Sequence, residues 1–116
     1  MGEKIRIAVA SSDCKTVNMH FGDVSHFLIF EVEGIHVNFI ELREKEKKPI
    51  QEHSDRWMQS LNTIKDCKAI LCSRMGQEPA SKLEEEGIIP LQCSGTIADA
   101  IKYYLKENEL NWIRDI

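Results

Sequence analysis

HFLIFEVEGIHVNFIELR, residues 26–43, is the stretch whose reading decides the fold. His26 to Val32 is apolar enough for a buried strand. Glu33-Gly34 is a tight turn, and the run from about 35 to 43 is a second strand. In that second run the apolar residues alternate at Ile35, Val37 and Phe39, then change phase to Ile40 and Leu42. A β-bulge near Phe39 accounts for the change. Upstream, residues 5–11 read as a mostly buried strand, so the chain opens with a three-strand meander.

The period changes downstream. Residues 44–52 are charged, contain Pro49 and read as an exposed loop. Trp57, Met58, Leu61 and Ile64 form one helical stripe after the capping candidates Ser54 and Asp55. Ala69 to Cys72 is a short buried strand. A helix follows with Pro79 in its first turn, Ala80 and Leu83 inward and Gly87 at its end. Ile88 to Leu91 is another strand. The last helix starts near Thr96 and buries Ile97, Ala100, Ile101, Tyr104 and Leu105. In the tail from Glu107 to Ile116, Trp112 and Ile113 either pack back or mark a contact surface.

The order β-β-β-α-β-α-β-α implies an antiparallel meander followed by right-handed crossovers. The compact solution is an α/β fold with the first strand central, the meander on one side, and the fourth and fifth strands parallel on the other. Helices then cover both faces of a five-stranded mixed sheet. This is a ribonuclease H-like three-layer α/β/α sandwich, expected as one domain over residues 1–116.

Composition narrows the function. A hydrophobic fraction of 42% and a charged fraction of 29% suit a soluble globular domain. A net charge of −4 and lysines interleaved with glutamates at 44–48 argue against nucleic-acid binding. No apolar run spans a bilayer, and strand-like sequence by Ile5 leaves no room for a signal peptide, so the expected location is cytoplasmic. The four cysteines contain no C-x-x-C pair, which disfavours a zinc knuckle or a thioredoxin-like motif.

In open α/β sheets ligands bind beyond the carboxyl ends of parallel strands. Those ends carry Ser11 to Cys14 with the Val17–Gly22 loop, Cys72 to Gly76, and Gln92 to Thr96. His20, Cys14, Cys72 and Cys93 are thus candidate metal ligands. Arg74 and the helix starts at Gly76 and Ser94-Gly95 offer positive potential to an anion. Each also has a structural reading. Cys72 and Cys67 read as buried small hydrophobes, and Cys14 and Cys93 as ligands or structural thiols alike. His20 is a metal ligand or a loop hydrogen-bonder. His26 begins a strand, while His36 and His53 read as surface residues. Enzymatic activity is not expected: a carboxylate cluster for magnesium, a phosphate loop and a G-x-S-x-G elbow are all missing.

Ile7–Ala10, Val17–Gly22, Phe27–Val32, Asp66–Gly76 and Leu83–Pro90 together resemble, in order, the dinitrogenase iron–molybdenum cofactor biosynthesis family. That family includes NifX-type carriers and the C-terminal domain of NifB-type synthases, and its fold is ribonuclease H-like. The resemblance covers roughly residues 4–106. It implies binding or carriage of an anionic iron–sulfur or iron–molybdenum cofactor precursor, alongside metallocluster-assembly proteins. His20, Phe21 and Gly22 match the family's His-Phe-Gly loop, which makes His20 the leading ligand. The chain lacks the C-x3-C-x2-C motif of a radical-SAM domain, so it does not synthesise a cofactor by itself. The alternatives are a protein-interaction scaffold without its own cluster and a small redox-regulatory module using Cys14.

Overall fold

A computed structural model of the chain describes residues 4–45 and 54–109, without the side chains of Ser54, Asp55 and Glu109. Its elements are β1 (Lys4–Ala10), β2 (His26–Glu33), β3 (His36–Glu44), α1 (Ser54–Thr63), β4 (Ala69–Cys72), α2 (Gln77–Glu85), β5 (Ile89–Gln92) and α3 (Ile97–Tyr104), which runs into a π-helical turn over Leu105–Glu109. The strands form one sheet in the order β3-β2-β1-β4-β5. β1–β2 and β2–β3 pair antiparallel, β1–β4 and β4–β5 parallel. This is the expected mixed sheet with β1 at its centre. The capping side chains proposed at Ser54 and Asp55, His53, Pro49 and the Trp112-Ile113 pair lie outside what is described.

Alternation along β1 and β4 splits the core into two layers. Ala8, Ala10, Ile70 and Cys72 face α1 and α2, joining Phe21, Phe27, Ile29, Leu61, Ile64 and Leu83. Ile7, Val9, Ala69 and Leu71 face α3, joining Leu28, Val32, Ile97, Ile101 and Tyr104. The structure is therefore three-layered, with the two apolar layers separated by the sheet.

Thr96 opens α3 as expected, its hydroxyl accepting the Asp99 N–H at 3.2 Å. The expected stripe on α1 needs one correction. Leu61 and Ile64 are buried and Trp57 is half-buried, but Met58 is 47% exposed. Met58 adjoins Trp57, about 100° round the helix, and the covered face is too narrow for both.

The bulge falls where the phase change puts it. Phe30 pairs with Phe39 and Ile29 with Glu41, leaving Ile40 as the extra residue. Phe30 and Phe39 meet edge-on with ring centres 5.6 Å apart. The inserted residue keeps Val37, Phe39 and Leu42 on the α3 side, opposite Val32, Phe30 and Leu28. It also places Glu41 and Arg43 on the other side. There Arg43 donates to Asp66 at 2.6 and 3.1 Å and to the Thr63 carbonyl at 3.0 Å. Arg6 donates to the same carboxylate at 2.7 Å, so two strands are tied to the turn after α1.

Candidate functional site

The 11–25 loop crosses the carboxyl edge of the sheet from one face to the other. Its first half is tied to the start of α3: Thr16 bridges Thr96, Val17 donates to the Gly95 carbonyl at 3.0 Å, and Ile97 donates to Lys15. Gly95 sits at φ +96°, a conformation that side chains rarely adopt. Asp13 organises the turn by accepting from the Lys15 and Thr16 N–H groups and the Thr16 hydroxyl, which holds its carboxyl well below the usual range.

The second half is tied to the end of β4. His20 bridges Arg74, Phe21 donates to the Arg74 carbonyl at 3.0 Å, and Ser73 donates to the Met19 carbonyl at 3.0 Å. Two side chains then fix the outgoing carbonyls. The buried Ser60 hydroxyl of α1 donates to Phe21 O at 2.7 Å, and Lys45 Nζ donates to Gly22 O at 2.7 Å. Phe21, 1% exposed, is the plug that anchors the loop in the α1/α2 core.

Between this loop, α1 and the start of α2 lies a cavity of about 530 Å³, lined by His20, Phe21, Gly22, Asp23, Arg56, Trp57, Arg74, Met75, Gly76, Gln77, Glu78 and Pro79. His20 Nδ1 stands 3.6 Å from Asp23 Oδ2, which leaves Nε2 as the nitrogen available to a ligand. Arg56 reaches the same carboxylate at 3.4 Å. Gly76 caps α2 with an ordinary extended backbone and no side-chain hydrogen bond. The first N–H groups of α2 therefore open on the cavity without a side-chain cap. Gln92 Oε1 accepts the Met75 N–H at 3.1 Å and steadies this turn.

Five of the residues singled out from sequence thus line one cavity: His20, Phe21, Gly22, Arg74 and Gly76. The others stand elsewhere. Cys72 is wholly buried in the α1/α2 core, where desolvation pushes its thiol up to about 12. Cys93 packs half-buried on the α3 side, also raised by burial, and its N–H donates to the Cys72 carbonyl. Cys14 is exposed beside α3, lining a different groove. Ser94 and Gly95 sit at the start of α3 and outside the His20 cavity lining. Cys67 is buried, as its core reading expects, with its thiol pushed up to about 12. Among the described residues, no group of three or more His, Cys, Asp or Glu is placed to hold a metal ion.

Arg56, Asp23, Lys45 and Ser60 were not singled out from sequence. Arg56 sits next to the Trp57 stripe, but its facing is decided by how α1 docks, and Ser60 is an unremarkable polar residue within a helical pattern.

The dinitrogenase iron–molybdenum cofactor family matches residues 3–107. This chain belongs to that family. Its relatives include the FeMo cofactor biosynthesis protein NifB of Azotobacter vinelandii, 35% identical over 91 residues, which are 74% of this chain and 18% of the relative. Protein NifX of Sinorhizobium fredii is 30% identical over 95 residues, 76% of this chain and 59% of that protein. The chain thus spans under a fifth of that NifB protein and about three-fifths of that NifX protein. Among solved structures, PH0822 superposes with a TM-score of 0.68 at 30% identity, covering 89% of this chain and 90% of its own. No helix among the described residues is long and apolar enough to cross a membrane.

Proposed function

We propose that this protein takes part in iron–molybdenum cofactor biosynthesis by binding and carrying an anionic iron–sulfur or iron–molybdenum precursor, without turning it over. The observation that carries this reading is the His20 cavity. It sets one free imidazole nitrogen beside Arg74, Arg56 and the uncapped start of α2. A bare metal ion needs several protein donors. A preformed cluster that arrives with its bridging sulfides and exogenous thiolates on most of its irons needs only a protein donor or two, plus positive groups against its charge. That second requirement is the one the cavity meets. In this reading His20 Nε2 ligates, Arg74 and the α2 N–H groups balance charge, and Asp23 orients the imidazole. Cys72 has no part: a thiolate is the ligating form, and burial disfavours it.

The test is anaerobic loading with a synthetic [4Fe–4S] cluster, followed by visible absorption and iron analysis after desalting. The full chain retains the cluster. His20→Ala loses it, and Arg74→Gln weakens retention by about 1.5–3 kcal/mol, roughly tenfold or more. Cys72→Ala retains it. Retention unchanged in His20→Ala removes the ligand assignment, and no retention by the full chain removes cluster carriage.

A further inference from the structure

The α3 side of the sheet is covered by one helix. α3 packs on β1 and β4 through Ile7, Val9, Ala69 and Leu71, with Ile89 and Leu91 of β5 against its edge. A helix is about 10 Å across with its side chains, roughly two strand spacings. Five strands are wider than that, and the β3 flank of this side has no covering element among the described residues. The apolar residues there are correspondingly open: Ile35 is 72% exposed, Phe39 55%, Leu42 49%, and Val37 and Ile40 38% each. Val37, Phe39 and Leu42 lie opposite Val32, Phe30 and Leu28 of the α3-side core. Ile40, two residues before Leu42, shares its side. The bulge at Ile40 keeps the four strand residues on one face, and the exposed Ile35 stands in the turn next to them. Five large side chains about half exposed amount to on the order of 500 Å² of apolar surface.

We propose that this flank is the contact surface for a second copy of the same chain, the β2–β3 flank of each lying face to face on the other about a twofold axis. Three features make the surface self-complementary. The apolar strip meets its own copy, as an isologous contact requires. The step is also the right depth. Helices stand about 10 Å above a sheet, and facing sheets pack about 10 Å apart, so the incoming flank comes to rest level with α3. Its free β3 edge then lies beside α3. That edge is nine residues long with neither proline nor lysine, the kind of strand proteins usually shelter.

The third feature is charge. At the foot of the step is a groove of about 470 Å³ floored by Phe30, Val37, Ile97 and Ile101, with Lys15 and Lys102 also in its lining. The exposed Glu44 at the end of β3, two residues beyond Leu42 and so on the same side, offers a carboxylate to those lysines across the contact. With the groove wall added, the area per copy is on the order of 600 Å², the size of a weak, reversible contact rather than the roughly 800 Å² per partner of a standard interface.

Sedimentation velocity of the full chain over a micromolar concentration series tests this. The expected result is a reversible monomer–dimer equilibrium that Ile35→Glu and Phe39→Glu each weaken about tenfold or more, with unchanged circular dichroism. Ile35 lies outside the strands, so its variant keeps the test valid if Phe39→Glu fails to fold. A monomer at every concentration overturns the proposal, as does a dimer insensitive to both variants. In a Trp57→Phe background Trp112 is the one remaining tryptophan. If that chain is monomeric and Phe39→Glu shifts the Trp112 emission, the segment 110–116 covers the flank instead, and the second-copy assignment is wrong.

Discussion

Ser60 shows how a residue with no sequence signature comes to matter. Its hydroxyl is fully buried and donates to Phe21 O, so the cavity loop and α1 share a hydrogen bond that water does not reach. Ser60→Ala leaves that carbonyl without its donor and is expected to cost about 1–2 kcal/mol, read by urea unfolding. In cluster loading, Ser60→Ala should retain more than His20→Ala, because it disturbs the loop without removing the ligand. Gly95→Ala is a second case. Added side-chain bulk meets nothing within 4 Å, so its cost is the strain at φ +96° alone, about 1–2 kcal/mol by thermal unfolding. His20, Phe21 and Gly22 were legible because an unusual run of residue types marked them. Ser60 and Lys45 were not, since serine and lysine in helical or charged surroundings are ordinary.

The meander shows what one inserted residue does to an element. The bulge at Ile40 lets β3 turn apolar side chains to one face and Arg43 to the other, where Asp66 waits. Arg43, with Arg6 assisting, holds the Asp66 carboxyl down to about 2, below its ordinary value near 4. The unfolded chain therefore binds more protons than the folded one between those values. The contribution is complete above about pH 4 and disappears as pH falls towards 2. Asp66 is 42% exposed, so solvent screening keeps it modest. Stability measured by urea unfolding should fall over that window in the parent chain, and Asp66→Asn should flatten this part of the profile while lowering stability at pH 7. The phase change in 35–42 made the bulge readable. The partner at Asp66, 23 residues from Arg43, was not, because nothing local connects the two.

At the scale of the molecule, the sheet keeps two cores apart. Leu83 belongs to the α1/α2 layer and Ile101 to the α3 layer, with β-strands between them. Truncating either to alanine is expected to cost about 2–5 kcal/mol. The two costs should add to within about 0.5 kcal/mol in a double variant followed by urea unfolding, because the sites share no partner. The two layers are also unequal. Two helices cover one face and one covers the other, which leaves the β3 flank open among the described residues.

Strand order, sense and the bulge were readable from residues 26–43 and the downstream periodicity, because a strand with one buried face must repeat every two residues and parallel strands need crossovers. The His-Phe-Gly loop was readable as a candidate site for a local reason too: its unusual residue types are contiguous, and they line one cavity. Which residues join it was not. Topology set Cys14, Cys72 and Cys93 near the same edge, but side-chain direction placed Cys14 exposed beside α3, Cys72 in the α1/α2 core and Cys93 half-buried against the α3-side core. The docking of α1 brought Arg56 and Ser60 to the loop across more than 30 residues. Contacts of that kind depend on how layers pack in three dimensions, and alternation along a single strand or helix carries no record of them.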